Sequence, residues 1–158
     1  MPSVCRATEQ IFPLDSMDKI SANVLNFGNH KVNPISMRDI QTYDDISDLV
    51  SRFYDKLIAD DATKEKFLNL NLQMHLPKIV DFWAFILIDK AGYTGNVFDK
   101  HLHLNLEPVH FEHWINHWTN TVNEMFLGPK AELAIQRALL LSYTFQSKLF
   151  NTDKNKII

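Results

Sequence analysis

The feature that most constrains the fold is an apolar repeat of helical period that begins just after residue 42. Its side chains follow the i, i+3, i+4, i+7 spacing of one helix face: Ile46, Leu49, Val50, Phe53, Tyr54, Leu57 and Ile58. Thr42 or Asp44 can cap the start of this helix. Repeats of the same period follow along the chain, which contains only four glycines. The sequence therefore predicts an all-α protein.

Four substantial helices are predicted, joined by short segments. The first runs for about four turns from residue 42, and a short helical piece follows at 64–68. The others cover about 74–90, a stretch that begins at Pro108, and about 130–150, with Gly128-Pro129 separating the last two. A further short helical piece at 97–104 carries His101. Pro77 is expected in the first turn of the second long helix.

The two ends of the chain differ from the middle. Residues 1–40 are rich in Asn and Ser with weak periodicity, which indicates an N-terminal extension that is partly ordered or lies on the surface. A short helix over 16–26 is one option within it, and translation from Met37 is another possibility. Residues 41–150 are predicted to form one helical domain, and residues 151–158 to fray.

Charge and composition exclude several functions. The net charge of −3 offers no basic face for nucleic acid. The longest uninterrupted apolar run, Phe82 to Ile88, is far too short for a membrane span. Cys5 is the single cysteine, so no internal disulfide can form, and the N-terminal residues are not expected to act as a signal peptide. A cytoplasmic location is the expectation.

Histidines are concentrated between positions 75 and 117, where six of the seven lie. His113 and His117 stand four residues apart and could bind zinc on one helix face. Each directly precedes a tryptophan of the inward stripe, however, which places the two histidines towards its solvent edge. The sequence also lacks an HExxH motif, and it has no cysteine cluster that would complete a structural zinc site.

His101 has the surroundings of a haem ligand. A single histidine on haem iron is held below a flat apolar slot, and its second ring nitrogen usually donates to a carbonyl group. Tyr54 lies within an apolar stripe, where its hydroxyl needs a partner, and it could donate a hydrogen bond to a bound gas, as could the indole of Trp114. Large apolar side chains could build the walls of the slot: Phe53, Phe67, Ile79, Phe82, Trp83, Phe98 and Trp114.

Over residues 43–150 the sequence resembles the group III truncated haemoglobins. The matching pieces are Phe53-Tyr54, Phe67, HLPKIVDFW from His75, YTGNVFDKHLHL from Tyr93 and HFEHW from His110. The resemblance implies a shortened globin fold, with two helices packed over two around one haem (iron protoporphyrin IX). It also implies that His101 ligates the iron, that Phe67 packs on the haem, and that Tyr54, His75 and Trp114 face the gas.

The resemblance implies binding of a diatomic gas, oxygen or nitric oxide, with nitric oxide dioxygenase or peroxidase-like chemistry open. Because the sequence has no GxGxxG motif, any reductase would be a separate protein. Two other classes stay open. One is a zinc or nickel hydrolase on a four-helix bundle that uses His75, His101 and a third histidine. The other is a helical interaction module without a cofactor that uses Trp114 and Trp118.

Overall fold

The computed structural model describes residues 37–150, apart from Leu102 and the side chain of Lys100. The predictions for residues 1–36 and 151–158 fall outside this range. All regular secondary structure within it is helical, as predicted. Four α-helices are joined by two short 3-10 turns, and the elements in chain order are α1 (Tyr43–Ala59), the turn Lys64–Phe67, α2 (Leu72–Ile88), the turn Asp99–His101, α3 (Pro108–Met125) and α4 (Pro129–Phe150).

The helices pack as two pairs. Helix α1 contacts α2, helix α3 contacts α4, and further contacts join α1 to α3 and α2 to α4. This arrangement agrees with the predicted shortened globin fold. None of the helices between residues 43 and 150 is long and apolar enough to cross a membrane.

Two stacked tryptophans form the centre of the core. The rings of Trp83 on α2 and Trp118 on α3 lie 4.2 Å apart at an angle of 19°. The Trp118 indole N–H donates to the carbonyl oxygen of Ala134 on α4 at 3.1 Å, and Phe53 on α1 meets the Trp118 ring edge-on at 5.0 Å. Both tryptophans are buried. Trp118 therefore contacts the other three helices while its one polar group is satisfied.

Helix α1 begins at a capping box formed by Thr42 and Asp45. The Thr42 hydroxyl accepts a hydrogen bond from the Asp45 N–H at 3.2 Å, and the Asp45 carboxylate accepts one from the Thr42 N–H at 2.9 Å. The same buried carboxylate accepts from the Arg38 guanidinium and from the Gln41 N–H. These donors, Arg38 foremost, hold the pKa of the Asp45 carboxyl well below its ordinary value, although burial opposes them.

The segment before α1 belongs to the helical domain, which corrects the predicted boundary at residue 40. Ile40 is completely buried in the core. The Asp39 carboxylate accepts hydrogen bonds from the Lys130 and Ala131 N–H groups, both at 2.9 Å, at the start of α4. Gly128 lies so close that a Cβ there would come within 2.6 Å of Asp39, and its φ of +146° also favours glycine. Short-range periodicity misses these contacts because they join residues far apart in sequence.

Two predicted helices differ in extent from those observed. Helix α2 begins at Leu72 because the Asn71 side chain caps it by accepting from the Met74 N–H at 3.2 Å. Pro77 therefore lies in the second turn and not in the first. The helical piece predicted at 97–104 is reduced to the single 3-10 turn Asp99–His101, flanked by irregular backbone.

The Asp45 cluster generates a stability prediction. Asp45→Asn should lower the free energy of unfolding at pH 7 by about 1–3 kcal/mol, because it removes a charged hydrogen-bond acceptor. The pKa of the Asp45 carboxyl in the folded state lies below its value of about 3.9 in the unfolded chain. The charge of Asp45 therefore stabilises the fold at a pH above about 3.9, and this stabilisation is lost as the pH falls towards the folded-state pKa. The difference between wild type and variant should therefore narrow below about pH 5. Urea unfolding followed by circular dichroism measures it.

Asp48→Asn is the matched control, because Asp48 is an exposed carboxylate on the same helix. It should change the unfolding free energy by no more than about 0.5 kcal/mol. If the free energy of unfolding of Asp45→Asn stayed below that of wild type by the same amount down to pH 3, the role assigned to the Asp45 charge would be contradicted.

Candidate functional site

A mostly apolar cavity of about 320 Å³ lies in the helical domain, lined by side chains from all four helices. Its volume is within the usual range for small-molecule sites. Phe53 and Tyr54 come from α1, while Leu141 and Phe145 come from α4. Further lining residues belong to α2, α3 and the two connecting segments, among them Phe67, Leu70, His75, Ile79, Phe82, Trp83, Val97, His101, Leu104, Leu106, Phe111 and Trp114.

His101 is held at the cavity wall by its own backbone segment. Its Nδ1 lies 2.6 Å from the carbonyl oxygen of Val97. Because a carbonyl oxygen only accepts hydrogen bonds, this contact requires Nδ1 to carry the proton. In the neutral ring, Nε2 then has the lone pair, which is the form of imidazole that ligates metals. The short turn Asp99–His101 creates this contact by bringing the ring back towards the carbonyl four residues earlier.

Tyr54 and His75 form a polar pair in the same cavity. The Tyr54 hydroxyl lies 2.9 Å from His75 Nε2, and the Tyr54 residue is only 7% exposed. Burial raises the pKa of the Tyr54 hydroxyl above its ordinary value of 10.0, so this group stays protonated at neutral pH. Trp114 lines the cavity beside them, with Phe53 edge-on to its ring at 5.7 Å. Donor groups are therefore concentrated in an otherwise apolar space.

A second cavity of about 370 Å³ shares four lining residues with the first: His75, Ile79, Val97 and His101. Its other walls come from α2 and the loop that follows, and they include Lys78 and the half-buried Tyr93. The two spaces therefore adjoin along the edge of α2. The second is more polar, so a flat ligand with an apolar body and a charged rim would match the pair.

Comparison with known proteins identifies the family. No protein-family model matches the sequence. A group 3 truncated haemoglobin of Campylobacter jejuni is 29% identical over 112 residues, covering 66% of this chain and 88% of the relative. A group 1 truncated haemoglobin of Tetrahymena thermophila is 30% identical over 96 residues, covering 60% and 78%. This chain belongs to the truncated haemoglobin family.

The predicted resemblance to group III is confirmed by structure. The crystal structure of the group III truncated haemoglobin from Campylobacter jejuni matches with a TM-score of 0.67 and 26% identity, covering 72% of this chain and 96% of that chain. The match therefore spans nearly the whole Campylobacter protein.

Most residues that the sequence predicted for the pocket of this truncated haemoglobin do line the cavity. They are Phe53, Tyr54, Phe67, His75, Ile79, Phe82, Trp83, His101 and Trp114. Phe98, which was also predicted for the pocket, does not line this cavity. Its ring packs against Phe145 at 5.4 Å and is covered by the Lys148 ammonium at 4.6 Å. Val97 lines the cavity instead, since the Phe98 side chain turns towards α4.

The sequence analysis missed the contribution of α4 to the cavity. Leu141, Ser142 and Phe145 all line it, and the Phe145 ring lies 5.4 Å from the His101 ring. Leu141 and Phe145 lie four residues apart on one face of α4, but periodicity does not separate a core residue from a pocket wall. Their position opposite His101 follows only from the packing of α4 beside the turn that carries it.

The structure argues against the two alternative functions. An interaction surface built on Trp114 and Trp118 is not available, because Trp118 is fully buried and stacked on Trp83. A hydrolytic metal centre would need a third ligand beside His75 and His101. Within the described part of the chain, the group of three metal-ligating side chains lies elsewhere and includes neither of them.

Proposed function

We propose that this truncated haemoglobin binds one haem in the cavity, with His101 as the iron ligand, and that it binds a diatomic gas such as oxygen there. The observation that carries the proposal is the hydrogen bond between His101 Nδ1 and the Val97 carbonyl, which selects the tautomer whose Nε2 can ligate a metal. The apolar lining of the cavity supports the same conclusion, since a porphyrin needs an apolar slot.

The chain offers residues suited to each part of a haem. Phe67 and Ile79 supply apolar surface near Tyr54, and Leu141 and Phe145 supply it near His101. Lys78, at the more polar second cavity, provides a positive charge for carboxylate groups at the rim. When bound, haem supplies an iron atom that takes a diatomic gas as a ligand.

Tyr54 and His75 control which proton faces the gas. Tyr54 has one O–H proton, so it can donate either to His75 Nε2 or into the cavity. When Nε2 carries its own proton, His75 donates to the Tyr54 oxygen, and the Tyr54 proton is left for a ligand. His75 is then a positioning residue for Tyr54. The Trp114 indole, which also lines the cavity, offers a second donor group. Hydrogen bonds in such an apolar space are stronger than in water.

Haem uptake is the first test. The full-length chain titrated with haemin should give a strong Soret band at one haem per chain. His101→Ala should lose stable haem binding, because the apolar walls alone provide no iron ligand. His103→Ala, which changes an exposed histidine two residues away, is the control and should bind haem as wild type does. Unchanged spectra in His101→Ala would exclude His101 as the ligand.

A rescue experiment separates ligation from folding. His101→Gly leaves space where the imidazole ring stood, so added imidazole can occupy it and restore the missing nitrogen. We expect haem retention through a desalting column to be low without imidazole and to return with it. Failure of imidazole to restore haem binding in a variant with the wild-type circular dichroism spectrum would count against the assignment.

The donor role of Tyr54 is tested by ligand release. Tyr54→Phe should increase the oxygen dissociation rate about tenfold or more, because it removes a hydrogen bond of about 1–3 kcal/mol. Stopped-flow displacement of oxygen measures the rate. Tyr43→Phe is the control, because the Tyr43 hydroxyl donates to Asp81 at 3.1 Å and lines neither cavity. An unchanged rate in Tyr54→Phe would show that another group stabilises the bound gas.

A further inference from the structure

Three side chains with metal-ligating atoms meet outside the cavity. Asp60 Oδ2 lies 2.7 Å from His113 Nδ1 and 2.5 Å from His117 Nε2. All three ligand atoms lie within 4.8 Å of one another. None of these residues lines the cavity that we assign to haem. The cluster is therefore a separate feature that the proposed function does not use.

The packing of α1 against α3 brings the cluster together. His113 and His117 lie one turn apart on α3, so their rings project from the same side of that helix. Asp60 is the residue at which α1 ends, and α1 packs on α3. A site with ligands from two packed helices is formed by the fold itself, so a metal ion would meet preorganised ligands.

The Asp60 carboxylate is oriented by the backbone. Its other oxygen, Oδ1, accepts a hydrogen bond from the Ala62 N–H at 2.8 Å, which leaves Oδ2 directed at the two imidazoles. Hydrogen bonds from His117, Ala62 and His113 lower the pKa of the Asp60 carboxyl far below its ordinary value. The carboxylate is therefore ionised at neutral pH, as a metal ligand must be.

The cluster is accessible from solvent without being fully exposed. The side chains of His113, His117 and Asp60 are 38%, 25% and 15% exposed. An ion can therefore enter directly, and water can complete its coordination. In a tetrahedral zinc site with bonds of about 2.0–2.2 Å, neighbouring ligand atoms lie about 3.3 Å apart. The two observed N···O separations would widen by less than about 1 Å to reach that geometry, and the two imidazole nitrogens, which lie within 4.8 Å of each other, would adjust their spacing to the same value.

We propose that Asp60, His113 and His117 form a binding site for a divalent transition-metal ion, with Zn²⁺ as the representative ion. Two imidazole nitrogens and one carboxylate oxygen suit zinc and its neighbours in the first transition row. Mg²⁺ and Ca²⁺ prefer oxygen ligands in higher number and would bind poorly. A metal ion in this site would replace the hydrogen bonds that now join the imidazoles to Asp60, and it would tie the end of α1 to α3.

Equilibrium dialysis of the full-length protein against Zn²⁺, with elemental analysis, tests the site. The wild type should bind Zn²⁺ at this site in preference to Mg²⁺. Asp60→Asn and His117→Gln should each weaken that binding by more than about tenfold. Substitutions of residues that only hydrogen-bond to metal ligands already cost about 10–100-fold in metal affinity. Asp61→Asn and His103→Gln are the matched controls, as both change exposed neighbours outside the cluster, and both should bind Zn²⁺ as wild type does.

A thermal shift gives a second readout. At a Zn²⁺ concentration near the Kd of the wild type, Zn²⁺ should raise the Tm of wild type and of the two controls, because binding to the folded state alone stabilises it. It should raise the Tm of Asp60→Asn and His117→Gln by much less. His113→Gln serves in place of Asp60→Asn if loss of that carboxylate prevents folding. Zn²⁺ binding that is equally strong in all variants, or an absence of stoichiometric binding to wild type, would overturn the proposal.

Discussion

The packing of the four helices depends on the contacts of one indole ring, that of Trp118. Trp118 stacks on Trp83 of α2, receives the edge of Phe53 from α1 and donates its N–H to a carbonyl of α4. Burying so large a side chain contributes strongly to stability, and the hydrogen bond removes the cost of its polar atom. Because α3 carries this ring and the other three helices contact it, the ring fixes the spacing of the four helices. The cavity lies beside it, with Phe53 and Trp83 belonging to both the core and the pocket wall.

The two sides of the pocket are built differently. Tyr54, His75 and Trp114 lie on long helices, whose packing fixes where their polar groups point. His101 lies on a single 3-10 turn, and its orientation comes from a local hydrogen bond to Val97. The donors that would meet a gas therefore depend on the packing of helices, while the nitrogen proposed to hold the iron depends on a few residues of irregular backbone. The side that carries His101 is therefore the one at which a local change of the backbone would move a pocket residue.

Sequence patterns located the helices well because each carries an apolar stripe of clear period. The resemblance to group III truncated haemoglobins pointed to Tyr54, His75 and His101 together, which periodicity alone does not connect. Contacts between distant segments could not be predicted. Asp60 lies more than fifty residues before His113 and His117, so their cluster appears only once α1 packs on α3. That Val97 and not Phe98 lines the cavity likewise depends on the orientation of one short turn, which no repeat in the sequence predicts.

The close approach of Gly128 to Asp39 has a consequence for the far end of α4. Asp39 anchors the first N–H groups of that helix, and this requires a position without a side chain immediately before it. Since a helix is a stiff rod, a displacement at its origin is transmitted along its axis to Leu141 and Phe145, about three and four turns further on. The position of the pocket wall that α4 contributes is thus linked to a glycine that lies just before the first residue of that helix.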